Sequence, residues 1–232
     1  MKVYLLPTPI GDNPDEFFSS VIRGHFKNLS VFVAENSKSL RSLLGTHFPE
    51  RDQSTIAVYD QPAEDDPHGW QLLWEDLQGI NACGLVSDAG NPCIADPGYH
   101  FVDQCIRRSH EIIPISGPSS ILLALMASGM NGQDFRFHGY LPRDNNNLRG
   151  ALRRMEQDVS RHGTTQIWIE TPYRNEKMLK GACAALSGDM RLCVAAGLQT
   201  EQEHIRTLTI RSWKKIDEPG LHKIPAVYCL GR

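Results

Sequence analysis

The sequence predicts an α/β protein built as two domains, and three observations carry that expectation. Short apolar strands alternate with helical periodicity from one end of the 232-residue chain to the other. The strands fall into two groups of five, which suits two separate sheets with their own helices better than one continuous sheet. Ser116-Gly117-Pro118 offers a joint between the groups, giving an N-terminal α/β domain over 1–115 and a C-terminal α/β domain over 116–232. A composition that is 41% hydrophobic and 22% charged is enough to bury a core in each.

In the first half the predicted strands are Val3–Leu6, Val31–Val33, Ile56–Tyr59, Gly84–Val86 and Ile112–Ile115. The first helix reads from Asn13 as N-cap, with Pro14 at its first position and Glu16 three residues past the cap, and with Phe17, Phe18, Val21 and Ile22 on one face. A second helix runs from Pro67 to Gln78, where Trp70, Leu73, Trp74 and Leu77 recur at i, i+3, i+4 and i+7 as a core stripe. In the second half strands are expected at Phe135–Tyr140, Gln166–Ile169, Leu192–Ala195, Arg206–Ile210 and Ala226–Leu230. Helices are expected near Ser119–Ser128, Asn147–Arg161 and Arg174–Leu186, and Asn145-Asn146-Asn147 reads as an exposed loop tip.

The same residues exclude several classes. No apolar run approaches the about 20 residues of a membrane helix, and the start, "MKVYLLPTPIG", lacks the pattern of a signal peptide. A cytoplasmic protein is expected, with no membrane partner. The six cysteines are scattered without CxxC spacing and read as reduced, mostly buried thiols. No His/Cys/Asp group has metal-ligand spacing, so no metal is expected. Net charge is −3, so nothing global advertises nucleic acid, although Arg149, Arg153 and Arg154, Arg107 and Arg108, and Lys214 and Lys215 form local basic clusters.

In open α/β sheets ligands bind beyond the carboxyl ends of strands. Pro7-Thr8-Pro9-Ile10-Gly11 follows the first strand, and Glu170-Thr171-Pro172-Tyr173-Arg174 follows a strand of the second half. A double turn, Ser87-Asp88-Ala89-Gly90-Asn91-Pro92 and then Ala95-Asp96-Pro97-Gly98, follows the fourth. Ser116-Gly117-Pro118-Ser119-Ser120 follows the fifth and leads into an apolar helix with hydroxyl caps. One such loop only turns the chain; four of them, polar and rich in backbone, favour a pocket. GxGxxG, GxxxxGK[ST] and GxSxG are all absent, which removes most support for dehydrogenase, P-loop and hydrolase readings.

"LLPTPIGDNPDE", "GLVSDAGNPCIADPGYHFV", "PISGPSSILLALMASGM", "FRFHGYLPR" and "WIETPYRNEKML" occur in that order. This series resembles the tetrapyrrole-methylase-like, or class III, S-adenosylmethionine methyltransferases over nearly the whole chain. Within them it is most similar to the branch that methylates a cytidine 2′-hydroxyl of small-subunit ribosomal RNA. The resemblance implies two α/β domains with S-adenosylmethionine in the cleft between them, in a homodimer. Carried over by position, it implies a donor pocket of Pro9, Asp88, Gly90, Ile94, Ser119, Ser120, Ile169, Pro225 and Ala226. Asp88 would accept from the donor's amino or ribose groups, and small residues would let the backbone approach it.

Three departures bear on the acceptor. The branch's Glu-Asp-Thr-Arg is Glu35-Asn36-Ser37-Lys38 here, its ARE-x-TK segment is Ala195-Ala196-Gly197-Leu198-Gln199-Thr200, and the chain stops just after the last strand, without the branch's C-terminal extension. Donor motifs are kept while acceptor motifs differ. Methyl transfer is an in-line displacement in which alignment supplies roughly 7–11 kcal/mol, and a hydroxyl acceptor gains from a base. Glu35 and Glu170, each just after a strand, are the catalytic candidates, with an N-cap or ion-pair role as the competing reading. Two other functions stay open: a methyltransferase acting on a small tetrapyrrole-like molecule, and a non-catalytic donor-binding module that contacts RNA or protein.

Overall fold

The computed structural model describes residues 1–11, 17–217 and 220–232. Their backbone clusters into two compact units, Met1–Pro118 and Ser119–Arg232. Each is a five-stranded sheet with helices on both faces, the two α/β domains that the alternation predicts.

In the first unit the strands are β1 (Lys2–Leu6), β2 (Val31–Ala34), β3 (Ala57–Asp60), β4 (Ala82–Val86) and β5 (Glu111–Pro114). They run parallel in the order β3-β2-β4-β1-β5. Side chains alternate between the two faces of a strand. Leu6, Phe32 and Val86 therefore join Phe18, Ile22 and Phe26 under helices α1 (Ser20–Asn28) and α2 (Ser37–His47). Val3, Val33, Cys83 and Leu85 meet Trp70, Leu73, Phe101 and Cys105 on the other face, under α3 (Pro67–Asp76) and α4 (Gly98–Arg107). The stripe predicted on α3 is core, as its spacing requires.

Two details differ from expectation, the solvent-facing side chain of Val21 and the presence of helices α2 and α4. The cap and first turn placed at Asn13, Pro14 and Glu16 lie outside the described residues. A helix runs over Ser20–Asn28, with the Ser19 hydroxyl accepting from the Ile22 N–H, and Val21 faces solvent while Ile22 is buried. Helices α2 and α4 were not anticipated.

In the second unit, β6 (Phe135–Tyr140), β7 (Thr165–Glu170), β8 (Arg191–Ala196), β9 (His204–Thr209) and β10 (Ala226–Gly231) form the order β6-β7-β10-β8-β9. Only the β6–β7 pair is parallel. Helix α5 (Ser120–Ser128) packs Ile121, Ala124 and Leu125 on Ile167, Val227 and Cys229. Helices α6 (Asn145–His162), α7 (Asn175–Ala185) and α8 (Ile210–Trp213) cover Trp168, Val194 and Tyr228 on the opposite face. Asn145–Asn147 is the first turn of α6 rather than a loop tip: the Asp144 carboxylate accepts from the Asn146 and Asn147 N–H groups and so caps the helix.

All six cysteines are free thiols. Burial pushes Cys83 and Cys105 up to about 12, so they are protonated packing groups. Among the described residues no helix is long and apolar enough to cross a membrane, and no group of three or more His, Cys, Asp or Glu could hold a metal ion.

Candidate active site

The parallel sheet of the first unit directs the carboxyl ends of β1, β2, β4 and β5 to one edge, where the loops after them meet. Thr8 and Gly90 form a small antiparallel bridge, with Thr8 N–H donating to Gly90 O at 2.9 Å and Gly90 N–H to Thr8 O at 3.2 Å. The Thr8 hydroxyl, fully inside, donates towards Ser87 O at 3.2 Å and Gly90 O at 3.4 Å. The loop after β1 is therefore tied to the loop after β4. A third loop joins through the Asn91 amide, which donates to Gly117 O at 3.3 Å. Gly117 packs so closely that a Cβ there would stand 2.1 Å from the Pro7 Cβ and 2.8 Å from the Asn91 Oδ1.

The double turn after β4 is strained in a specific way. Gly90 has φ +84, and two residues with side chains, Cys93 at φ 72 and Ala95 at φ 65, also take the left-handed region. Each such residue costs of order 1 kcal/mol or more and persists only where its surroundings over-determine it. Asp96 supplies that constraint: its Oδ1 accepts from the Cys93 N–H at 3.0 Å and the Gly98 N–H at 2.7 Å. Gln61 adds a bond from its amide to Pro97 O at 2.7 Å. Asp96 is thus a brace.

Asp88 stands in the other turn and is free of that duty. Its backbone N–H donates to the Glu35 Oε2 at 3.1 Å, while its own carboxylate is exposed and has no hydrogen bond or ion pair among the described residues. Glu35 follows β2 directly. Partial burial of its carboxylate raises its proton affinity above the ordinary range; the Asp88 N–H opposes this, and the negative charges of Asp88 and Asp96 add to it. The neighbouring departures serve the scaffold, since Asn36 caps α2 through the Lys38 and Ser39 N–H groups and Ser37 is held by Asp60 through both its N–H and its hydroxyl.

Pro9, Asp88 and Gly90 therefore stand together in the first unit, and Ile94, half exposed, lies between the two turns of the same loop. In the second unit Ile169 pairs with Val227 and Glu170 with Ala226, while Pro225 O accepts from Gly197 N–H at 2.9 Å, so Ile169, Pro225 and Ala226 lie at one end of the central strands. Ser119 caps α5 by accepting from the Leu122 N–H at 3.4 Å, and Ser120 opens that helix.

Glu170 is committed elsewhere. Its side chain is buried, its Oε1 accepts from the Thr171 N–H at 2.7 Å, and its Oε2 faces the Arg174 guanidinium at 3.2 Å, an ion pair although not aligned as a hydrogen bond. The neighbouring Tyr228 hydroxyl donates to the Asn175 backbone and side-chain oxygens, and burial, then the Glu170 charge, pushes its proton affinity up. This cluster has the form of a structural network. Thr8 and Asn91 were not singled out for the roles they hold, whereas Asp96 and Asp88 were both open to an Asx-turn or cap role, which Asp96 takes by accepting from the Gly98 N–H. A buried Thr between two prolines and an Asp two residues before a helical Gly are the signals they leave in sequence.

No protein-family model matches the chain. Among curated proteins it is 29% identical over 208 residues to ribosomal RNA small subunit methyltransferase I of Vibrio cholerae, covering 90% of this chain and 68% of that one. It is 32% identical over 205 residues to the protein of that name from Halalkalibacterium halodurans, covering 88% and 67%, and 31% identical over 210 residues to that of Mesorhizobium japonicum, covering 90% and 68%. Among solved structures it matches the methyltransferase CobJ at a TM-score of 0.61 and 14% identity, covering all of this chain and 93% of that one, a likeness of fold. With a relative more than 30% identical of which it covers two thirds, the chain belongs to the ribosomal RNA small subunit methyltransferase I family.

Proposed function

We propose that the chain transfers a methyl group from S-adenosylmethionine to a ribose hydroxyl of small-subunit ribosomal RNA. The observation that carries the proposal is the braced loop after β4 in a chain of this family: strained backbone held open by Asp96 and Thr8, with the Asp88 carboxylate uncommitted beside it. Such a cradle fits a donor that offers amino and hydroxyl groups to a carboxylate and needs close backbone approach. Asp88, Gly90, Pro9 and Ile94 would hold it from the first unit, and Ser119, Ser120, Ile169, Pro225 and Ala226 are assigned on the family resemblance. Bound there, adenosylmethionine supplies a methyl group already activated on a sulfonium. The chain's own task is to orient the acceptor and take its proton.

Glu35 is the better candidate for that proton than Glu170, because Arg174 and Thr171 occupy Glu170 whereas the Glu35 Oε1 has no partner among the described residues. A base must be ionised, so transfer should rise with pH through a single step above the ordinary carboxylate range. Glu35→Gln should flatten that step and slow transfer by about a hundred- to ten-thousandfold. A carboxyl whose folded-state proton affinity is raised favours folding only while protonated, below its unfolded value, and loses that contribution as pH rises. Glu35→Gln should therefore not destabilise the protein at neutral pH. A wild-type profile without this step, or a variant that keeps it, removes Glu35 from the role.

The acceptor rests on the family and on a division of charge. Residues 119–232 hold sixteen Lys and Arg against eleven Asp and Glu, net +5, whereas residues 1–118 hold eight against sixteen, net −8. A chain of net −3 thus concentrates positive charge in one unit, as a polyanion acceptor requires. Labelled methyl transfer into deproteinised small-subunit RNA and into assembled subunits tests this; label appearing only in small tetrapyrrole-like molecules, or in nothing, overturns it. An RNA acceptor in the subunit puts the work in the cytoplasm. A homodimer is also proposed, on the resemblance alone. Trp70, 7% exposed, and Trp74, stacked on Phe101, belong to the first unit's core and add nothing to it. Light scattering at micromolar concentration should give about twice the 26.0 kDa chain mass, and a monomer there removes the dimer.

A further inference from the structure

A basic groove lies in the second unit between α6 and the edge strand β6, with a volume of about 390 Å³. Arg136 and His138 line it from β6, and Arg154, Arg161 and His162 from α6. None of the three guanidiniums makes an ion pair or a hydrogen bond to another residue among those described. The single carboxylate of the lining is Asp158, and it is engaged.

The floor is built. Gln166 is 1% exposed, and its amide nitrogen donates to the Asp158 Oδ2 at 2.9 Å and to Thr164 O at 2.9 Å. Both amide hydrogens being used, its Oε1 must be the acceptor of the 2.7 Å contact to the His138 Nε2. His138 therefore carries its proton on Nε2 towards the floor. The strand is distorted at the same residue: the β6–β7 register shifts between Phe137 and Tyr140, and Gly139 takes φ +64. Bulges of this kind re-aim a side chain and recur beside binding sites.

The basic residues of α6 do not form one face. Arg149 lies five residues, about 140° at 100° per residue, from Arg154, and lines a separate groove with Lys177 and Lys180.

We propose that the groove of Arg136, His138, Arg154, Arg161 and His162 binds a phosphodiester of the RNA strand that carries the acceptor; this rests on the RNA reading above. Three uncommitted guanidiniums converging on a built polar floor match phosphate oxygens, which guanidinium binds in bidentate fashion. The apolar lining residues Leu141, Ala151 and Met155 leave room for sugar rather than a second anion.

The test is Arg154→Glu/Arg161→Glu in the full chain, titrated with deproteinised small-subunit RNA across salt concentrations. One phosphate contact contributes about 0.7–0.9 to the salt slope, so losing it in the double variant should flatten the slope by about that amount and weaken binding at least tenfold. Adenosylmethionine affinity should hold. Arg161 and His162 also stand in the last turn of α6, where a basic side chain complements the helix dipole. That role alone predicts lower melting temperature with unchanged RNA affinity and slope, and such a result overturns the groove. If the reversal fails to fold, Arg136→Gln/Arg154→Gln should reproduce the loss, and unchanged binding in that pair likewise overturns it. Wild-type protein without salt-sensitive RNA affinity and without methyl transfer to RNA overturns the RNA reading and the groove together; wild-type transfer with an indifferent variant overturns the groove alone.

Discussion

Replacing Asp88 with alanine should weaken adenosylmethionine binding by about ten- to a hundredfold, the effect of losing a charged hydrogen-bond acceptor worth about 1.5–3 kcal/mol. The fold should hardly notice. The carboxylate is exposed and uncommitted, and the part of Asp88 that the scaffold uses is its backbone N–H, which alanine keeps. An exposed change of this kind stays within about 0.5 kcal/mol, so the melting temperature should move by no more than about 2 °C. Asp88→Asn, which keeps an acceptor but loses the charge, should fall between wild type and alanine. Asp96→Ala is the contrast: it deletes the brace on Cys93 and Gly98, so donor affinity and stability should fall together. Calorimetry with adenosylmethionine beside thermal unfolding reads both quantities, and an Asp88→Ala protein with wild-type donor affinity removes Asp88 from the site.

That contrast marks the limit of what the sequence displays. Two Asp-bearing turns after β4 were visible as turns, because Gly and Pro there cannot continue a strand, but nothing local separates the Asp that braces from the Asp left free. The difference is made by Cys93 and Gly98 N–H groups converging on Asp96, a consequence of two left-handed residues that carry side chains. The same holds for Thr8, whose role depends on Gly90, far away in sequence. Short apolar segments located all ten strands, because the inner strands of both sheets are covered by helices on their two faces and so read as near-continuous apolar runs. Helix α2 escaped notice although Leu40, Leu43 and Leu44 have helical spacing, since its N-cap Asn36 fell in a segment read for its departure from a motif. Helix α4 was hidden by Pro97 and Gly98, residues that end most elements and here begin one.

The same reasoning gives a large expected loss of stability at Arg174. Glu170 has a fully buried side chain at the end of β7, and Arg174, one turn on, is its charged partner at 3.2 Å. Removing one member of a buried pair leaves a desolvated charge and costs about 3–5 kcal/mol. Two features place Arg174→Ala near the lower end: the guanidinium itself is 22% exposed, and the Thr171 N–H and hydroxyl continue to donate to the Glu170 Oε1. An expected loss of about 3 kcal/mol should lower the melting temperature by roughly 6–12 °C for a chain of this size. Adding Glu170→Gln should restore part of that loss, because the neutral amide no longer needs a cation. If Glu170 were instead the catalytic base, Glu170→Gln alone would abolish methyl transfer while leaving unfolding unchanged. The structural reading expects the reverse ordering: stability falls first, transfer falls only as far as folded protein is lost, and the double variant recovers both. A Glu170→Gln protein that is fully stable and inactive would return Glu170 to the chemistry and displace Glu35 from it.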